Sequence, residues 1–189
     1  RWATGRPTSP AAAAAGALHL ALGVVDRPVV RSRAATLSTA KMLSLADSLA
    51  RSLPGGPAAA NLCERRGNFL VGFLALLIRG QACLLPPSRA PSVVAEVLQR
   101  HPGSYLLDDS MVDGFGAGDA GIATQLPEIP PERVVVIGYT SGSTGRPKPN
   151  PKTWGSFIAS TAFNSARLHA VLGDAGKHQL PWILATVPP

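Results

Sequence analysis

The most restrictive feature of the sequence is the run Arg133 to Tyr139, which carries three consecutive valines and an isoleucine. It passes without a break into Thr140-Ser141-Gly142-Ser143-Thr144-Gly145-Arg146-Pro147-Lys148. A run this apolar reads as a strand covered on both faces, as in a parallel sheet. A helical pattern resumes near Thr153, with Ile158, Ala162, Ala166 and Ala170 at fourth-residue spacing. A strand, a turn of glycines and hydroxyls, then a helix is a unit suited to anions. Glycine lets backbone N–H groups come close with no Cβ in the way, the hydroxyls add small donors, and a lysine just beyond adds a point charge.

The residues before this unit alternate in the same style. Pro28 to Leu37 reads as a short hairpin with Val29-Val30 and Ala35 to Leu37 as arms. Ser38 then caps a helix whose Met42, Leu45, Leu49 and Leu53 form one apolar face, and Pro54-Gly55-Gly56 ends it. Ala58 to Cys63 predicts a strand, Arg66 to Arg79 a helix burying Leu70, Phe73, Leu74 and Leu77, and Ala82 to Leu85 a strand closed by Pro86-Pro87. Ala90 to Arg100 predicts a helix with Val93, Val94, Val97 and Leu98 inward, and Ser104 to Leu107 a further strand. Such alternation implies an α/β fold, a layered and mainly parallel sheet flanked by helices. Asp108 to Pro131, glycine-rich and acidic, reads as a loop with at most one short strand at Gly121 to Gln125.

At 189 residues and 46% hydrophobic composition the chain has apolar surface enough for one packed domain, with residues 1–27 as a poorly structured leader and 28–189 as the domain. The run Phe69 to Ile78 has about half of the roughly 20 residues needed to cross a bilayer, so no membrane span is expected. Ala11 to Val25 is apolar, but His19 interrupts it and no small-x-small cleavage site follows, which argues against a signal peptide. Cys63 and Cys83, each beside a leucine, cannot form a multi-bridge framework; they read as core thiols, and a reducing cytoplasm fits. The chain opens on Arg1 and stops at Pro189 after a strand-like run, as if cut at both ends.

The formal charge of +7 is unevenly spread. Residues 1–66 carry nine basic and three acidic side chains, 67–132 three and seven, and 133–189 six and one. The basic residues show neither a helical stripe nor interleaved aromatics, so no nucleic-acid partner is expected, and a basic C-terminal third suits a small phosphorylated ligand. A basic, nucleic-acid-associated protein remains the rival class; it would show salt-sensitive DNA binding that ignores the hydroxyl turn.

Two motifs are excluded at that turn. A Walker A loop needs G-x-x-x-x-G-K-[ST], whereas Gly142 and Gly145 are three apart and Lys148 follows no glycine. A nucleophile elbow needs a serine at the centre of G-x-S-x-G, which neither overlap here supplies. A flexible Ser/Gly linker does not usually leave a strand this apolar.

The ten residues from Tyr139 to Lys148 resemble the phosphate-binding signature of the adenylate-forming superfamily, the acyl- and aryl-CoA synthetases, peptide-synthetase adenylation domains and luciferases. Asn61-Leu62-Cys63-Glu64, Leu84-Leu85-Pro86-Pro87-Ser88-Arg89 and Lys152-Thr153-Trp154-Gly155 extend the resemblance over about Pro28 to Pro189, toward an AMP-ligase branch associated with carrier-protein or aryl-polyene pathways. The resemblance implies ATP and Mg²⁺ as cofactors and a carboxylic acid as substrate. The acid is activated as an acyl-adenylate with loss of pyrophosphate, then captured by the thiol of CoA or an acyl carrier protein. It implies Thr140, Ser141, Gly142, Ser143, Thr144 and Gly145 as the phosphate cradle, with Mg²⁺ bridging the phosphates. Fixed donors aimed at charge that builds on a leaving group favour the transition state, and losing one costs about 3–4 kcal/mol in comparable enzymes.

The family usually follows its lysine with glycine; here Pro149-Asn150-Pro151 intervenes and Lys152 stands four residues on. Register favours Lys148 as the phosphate contact, with Lys152 its rival should the prolines turn the loop. The family's adenine loop, ribose aspartate, magnesium-associated acid and C-terminal-domain lysine all fall beyond the position matching Pro189. The resemblance therefore implies a fragment, the first part of the large domain, whose partner is the missing C-terminal part of the same enzyme and which has no complete activity alone. The alternative is a truncated paralogue that binds nucleotide without chemistry.

No chemistry is assigned elsewhere. His19, His101, His169 and His178 lack metal-ligand spacing and read as surface or capping residues. Asp108, Asp109 and Asp113 read as a solvated turn, Arg65 and Arg66 as a solvated helix start, and Trp154 as either a ligand stack or a helix anchor.

Overall fold

A computed structural model of the chain describes residues 18–19, 27–32, 36–114, 128–140 and 147–173. Strand β1 (Leu18–His19) belongs to a small pair described below; β2 (Pro28–Arg31) and β3 (Thr36–Ser38) form the expected antiparallel hairpin. Ser38 ends that hairpin and caps α1 (Thr39–Ser52), its hydroxyl accepting from the Lys41 N–H at 3.3 Å. Then follow β4 (Ala58–Asn61), α2 (Arg66–Arg79), β5 (Ala82–Leu85), α3 (Pro91–Gln99) and β6 (Tyr105–Leu107), close to the predicted bounds. The last elements are α4 (Asp109–Asp113), β7 (Glu128–Ile129), β8 (Val134–Thr140), β9 (Lys148–Thr153) and α5 (Trp154–Leu172).

The main sheet has the order β6-β4-β5-β8-β9, with every pair parallel except β8-β9. The chain steps from β4 to β5 in one direction and from β5 back across β4 to β6 in the other. Right-handed crossovers then put α2 and α3 on opposite faces. The side chains agree with the pleat. Ala59, Cys63, Cys83 and Val136 pack with α1, α2 and α4 on one face, whereas Ala58, Ala60, Leu84 and Tyr139 pack with Val97 on the other. The alanines of β4 let helices approach closely from both sides. Gly72 completes the fit, because a Cβ there would meet Leu107 Cδ2 at 2.8 Å.

Four sequence expectations change. Helix α2 buries Val71, Gly72, Ala75, Leu76 and Leu77, while Leu70, Phe73 and Leu74 are only half-buried, because α2 is packed between the sheet and α1 and so uses two faces. The acidic stretch after β6 is not all loop: Asp108 caps α4, its carboxylate accepting from the Met111 N–H at 3.1 Å. A strand does occur farther on, as β7 pairing antiparallel with β1, whereas the candidate strand Gly121 to Gln125 lies outside the described residues. Finally, Lys148 to Thr153 is an edge strand rather than a proline-turned loop.

Among the described residues, helix α5 is anchored only at its start. Trp154 is buried in the core and Phe157 lies 6.1 Å from Phe73, but Phe163 and Val171 are 68% and 71% exposed. Among the described residues, no helix is long and apolar enough to cross a membrane.

Candidate functional site

Because β4, β5, β6 and β8 are parallel, the chain leaves all four at one edge of the sheet. Register aligns Asn61 with Leu107 and Leu85 with Gly138, so Thr140 stands level with the segment that follows β5. In open α/β sheets a crevice forms outside the carboxyl ends where successive crossovers depart to opposite faces. Here that point lies between β4, which leads to α2, and β5, which leads to α3.

Thr140 is the exposed last residue of β8 and pairs with Lys148, the first residue of β9. Lys148 is therefore fixed across the mouth of the intervening segment. Lys152 pairs with Val136, about 14 Å farther down the strand at ~3.4 Å per residue. Both lysines are exposed. Ser141, Gly142, Ser143, Thr144 and Gly145 lie outside the described residues. Pro149 and Pro151 alternate with Lys148, Asn150 and Lys152, and such a pattern is tolerated on an edge strand, where alternate N–H groups need no partner.

The base of this segment is held from the residues that follow α3. Tyr139 is buried, and its hydroxyl shares a 2.6 Å hydrogen bond with His101 Nε2, the rings meeting edge-on at 83°. Burial pushes the Tyr139 phenol above its usual range, against the opposing charge of Arg100. Arg100 donates to the Pro147 carbonyl at 2.5 Å and to Glu96 at 2.6 Å. His101 is thus neither a free surface residue nor a cap, a correction to the expectation above. Its partner is 38 residues away, and no local pattern marks such a pairing.

The neighbouring charges are committed to the scaffold. Arg89 donates to the carbonyls of Leu62 at 2.5 Å and Cys63 at 2.9 Å, closing the end of β4 against the start of α3. Asp109 accepts from the Glu64 N–H at 2.8 Å, and Arg65, exposed as expected, reaches both Asp109 and Asp113. Of the acids expected in a solvated turn, Asp108 and Asp113 are exposed; Asp108 caps α4, while Asp109 and Asp113 tie α4 to the start of α2. The Arg65 hydrogen bond, then that of Asn68, holds the Asp113 carboxyl below the usual range, and Ser110 with the Met111 N–H does the same for Asp108. Burial pushes the Cys63 thiol up to about 12, with Asp109 and Asp108 adding to it, and burial likewise takes Cys83 to about 12. Both are core thiols, as expected. Trp154 is the anchor of its helix.

No protein-family profile matches the chain, and no curated protein does. Solved structures match. The chain is similar to O-succinylbenzoate coenzyme A synthetase (MenE) from Bacillus subtilis in complex with AMP, at 21% identity and a TM-score of 0.59, over 78% of this chain and 43% of that one. The same synthetase is also matched in complex with ATP and magnesium ion. McyG A-PCP complexed with phenylalanyl-adenylate matches at 20% identity and a TM-score of 0.56, over 71% of this chain and 26% of that one. An ATP-bound RpMatB-BxBclM chimera matches at 21% identity and 0.55, over 78% and 35%. The chain shares its fold with the matched parts of these proteins. It spans between 26% and 43% of the length of these three chains.

In this shared fold, Thr140 and Lys148 stand together at the carboxyl edge, and Lys152 stands apart from them. Arg89, Arg100 and His101 are the additional residues bordering that edge or gripping its loop. Arg89 lies within a stretch that carried the family resemblance, while Arg100 and His101 lie in none.

Proposed function

We propose that this chain forms the nucleotide-phosphate-binding part of an ATP-dependent acid ligase. In the reaction, a carboxylate oxygen of an acyl or aryl acid attacks the α-phosphorus of ATP, the bond to the β-phosphate oxygen breaks, and pyrophosphate leaves with the electron pair. The acyl-adenylate then passes its acyl group to the thiol of CoA or a carrier protein, releasing AMP. Thr140, Ser141, Gly142, Ser143, Thr144 and Gly145 cradle the β- and γ-phosphates, and Lys148 is the cation that meets them. The observation that carries this reading is the placement of Thr140 and Lys148 side by side where β8 leaves the sheet, within a fold shared with enzymes seen bound to ATP, AMP and an acyl-adenylate. Lys152, four residues down an exposed strand, is the less suited of the two lysines.

Among the described residues, no group of three or more His, Cys, Asp or Glu side chains can hold a metal ion. Mg²⁺ would arrive with the nucleotide as the counter-ion of its phosphates and would neutralise charge on the leaving pyrophosphate. The residues of this chain contribute the donors and the cation that meet the phosphates.

The test is a fluorescence titration with a ribose-labelled ATP analogue in Mg²⁺. Affinity should fall at least about tenfold in Ser141→Ala/Ser143→Ala and in Lys148→Ala, a difference of ~1.4 kcal/mol, and change little in Lys152→Ala. Equal affinity in all four proteins overturns the assignment. A second reading is nucleotide binding without turnover. Pyrophosphate release from ATP with a panel of carboxylic acids separates the two: turnover rejects the second reading, and binding without turnover supports it.

A further inference from the structure

Strand β9 is one of the two edges of the main sheet, with no strand beyond it among the described residues. Its register and its prolines together fix which way its backbone donors point. In an antiparallel ladder, residue pairs alternate between those that exchange both N–H···O bonds and those that exchange none, so alternate N–H groups face the neighbour and the rest face outward. Pro149 and Pro151 oppose Tyr139 and Ile137, while Lys148, Asn150 and Lys152 oppose Thr140, Gly138 and Val136. Proline has no N–H, so the bonded pairs are those of Lys148, Asn150 and Lys152. Their donors are taken up by β8. The positions that face outward are 149 and 151, where a ring carbon stands in place of the hydrogen.

We propose that Pro149 and Pro151 close this edge to strand addition, so that a second copy of the chain cannot pair with β9. The closure lies in the backbone. An approaching strand meets the outward carbonyls of Pro149 and Pro151 but no donor for its own carbonyls, and the proline rings keep it at a distance. Both prolines are exposed, so the missing donors leave no buried group unpaired within the chain itself. Charge works in the same direction. Lys148 and Lys152 are exposed on this strand, and pairing two copies would gather both sets of ammonium groups along one seam, in a chain of formal charge +7. The opposite edge is protected by its length, because β6 has only three residues. At six residues, exposed from Lys148 through Lys152, β9 is the edge on which a second strand would otherwise find room. The closure does not depend on what the chain binds.

Sedimentation velocity over a series of chain concentrations reads strand addition. Every protein compared, the parent included, carries Phe163→Ser/Val171→Ser, which removes the two most exposed apolar side chains of α5 from the comparison. Pro149→Thr/Pro151→Thr restores two outward donors in a residue suited to strands, and its self-association constant should exceed that of the parent at least about tenfold. Pro151→Thr alone should give a smaller rise. Lys152→Thr, which keeps both prolines, should give little. Residue-resolved hydrogen exchange locates the contact: the amide introduced at position 151 should exchange freely in dilute solution and become protected as the variant associates. In the parent, the Asn150 and Lys152 amides should exchange slowly at every concentration, since β8 holds them. Association of the double proline variant no stronger than that of the parent overturns the proposal, and so does association that leaves the new amide unprotected. Lys152→Thr associating as strongly as the double proline variant overturns it too, because charge rather than the missing donors would then be the barrier. Fast exchange of Asn150 and Lys152 in the parent has the same force, since their donors would then face outward. If the double variant fails to fold, Pro151→Thr supplies both the association and the exchange readouts.

Discussion

Asn61 ends β4 and is only 4% exposed. Its side-chain carbonyl accepts from the Cys63 N–H at 3.2 Å, and its amide donates to the Phe69 carbonyl at 3.0 Å, tying the strand end to the first turn of α2. Asn61→Ala removes both bonds unequally. The Phe69 carbonyl keeps its place in the α2 ladder, so losing the extra bond costs about 0.5–1 kcal/mol. The Cys63 N–H is buried and left unpaired, which costs about 1–3 kcal/mol. With a small cavity added, the total is about 2–4 kcal/mol. Asn61→Leu fills the volume and leaves only the polar part, so it should destabilise less than alanine. Urea unfolding of the purified chain, followed by circular dichroism, measures both. A loss below about 0.5 kcal/mol for alanine, or leucine costing more than alanine, would refute the claim that the Cys63 N–H depends on this side chain.

Acid should weaken both the cap of α4 at Asp108 and the tie between α4 and α2 at Asp113. The carboxyls of Asp113 and Asp108 lie below their ordinary values, so their contribution is present above about pH 4, the unfolded value, and fades as the pH drops toward the folded one. Asp113→Asn and Asp108→Asn should each flatten that acid limb in thermal melts taken between pH 6 and 2. The two cysteines should resist alkylation at pH 8: with a pKa of about 12 only ~10⁻⁴ of each thiol is ionised, and burial slows reaction further. Iodoacetamide labelling followed by mass spectrometry should be slow in buffer and complete in urea. On α5, Phe163→Ser with Val171→Ser should lower binding of an apolar dye and self-association in light scattering while shifting stability by no more than about 0.5 kcal/mol.

The elements carried by local chemistry were legible in the sequence. Ser38 announces α1 because its hydroxyl meets a free N–H three residues on. Gly80 takes the left-handed conformation that closes α2, and Pro86 follows β5, so both elements keep their predicted bounds. The buried face of α2 was misread because a helix covered on two sides has no single stripe to read. Strand β9 was invisible for a different reason. Lys148 to Lys152 alternates lysine, proline and asparagine with no apolar residue, and it is a strand only because β8 offers it backbone partners. Long-range polar ties leave no periodicity at all. Arg65 to Asp109 and Arg100 to Pro147 join residues more than 40 positions apart, and neither end looks special in its own neighbourhood. For the candidate site, the hydroxyl-rich segment and its two lysines were legible from composition and order, whereas the relative placement of those lysines required the register of an edge strand.

The central claim is that the segment leaving β8 grips the terminal phosphates of a nucleoside triphosphate. Phosphorus NMR of Mg·ATP titrated with the chain tests it directly. The account predicts that the β and γ resonances broaden and shift more than the α resonance, and that Ser141→Ala/Ser143→Ala abolishes the effect. Spectra identical with and without the chain, or perturbed equally by the parent and the double variant, would contradict it.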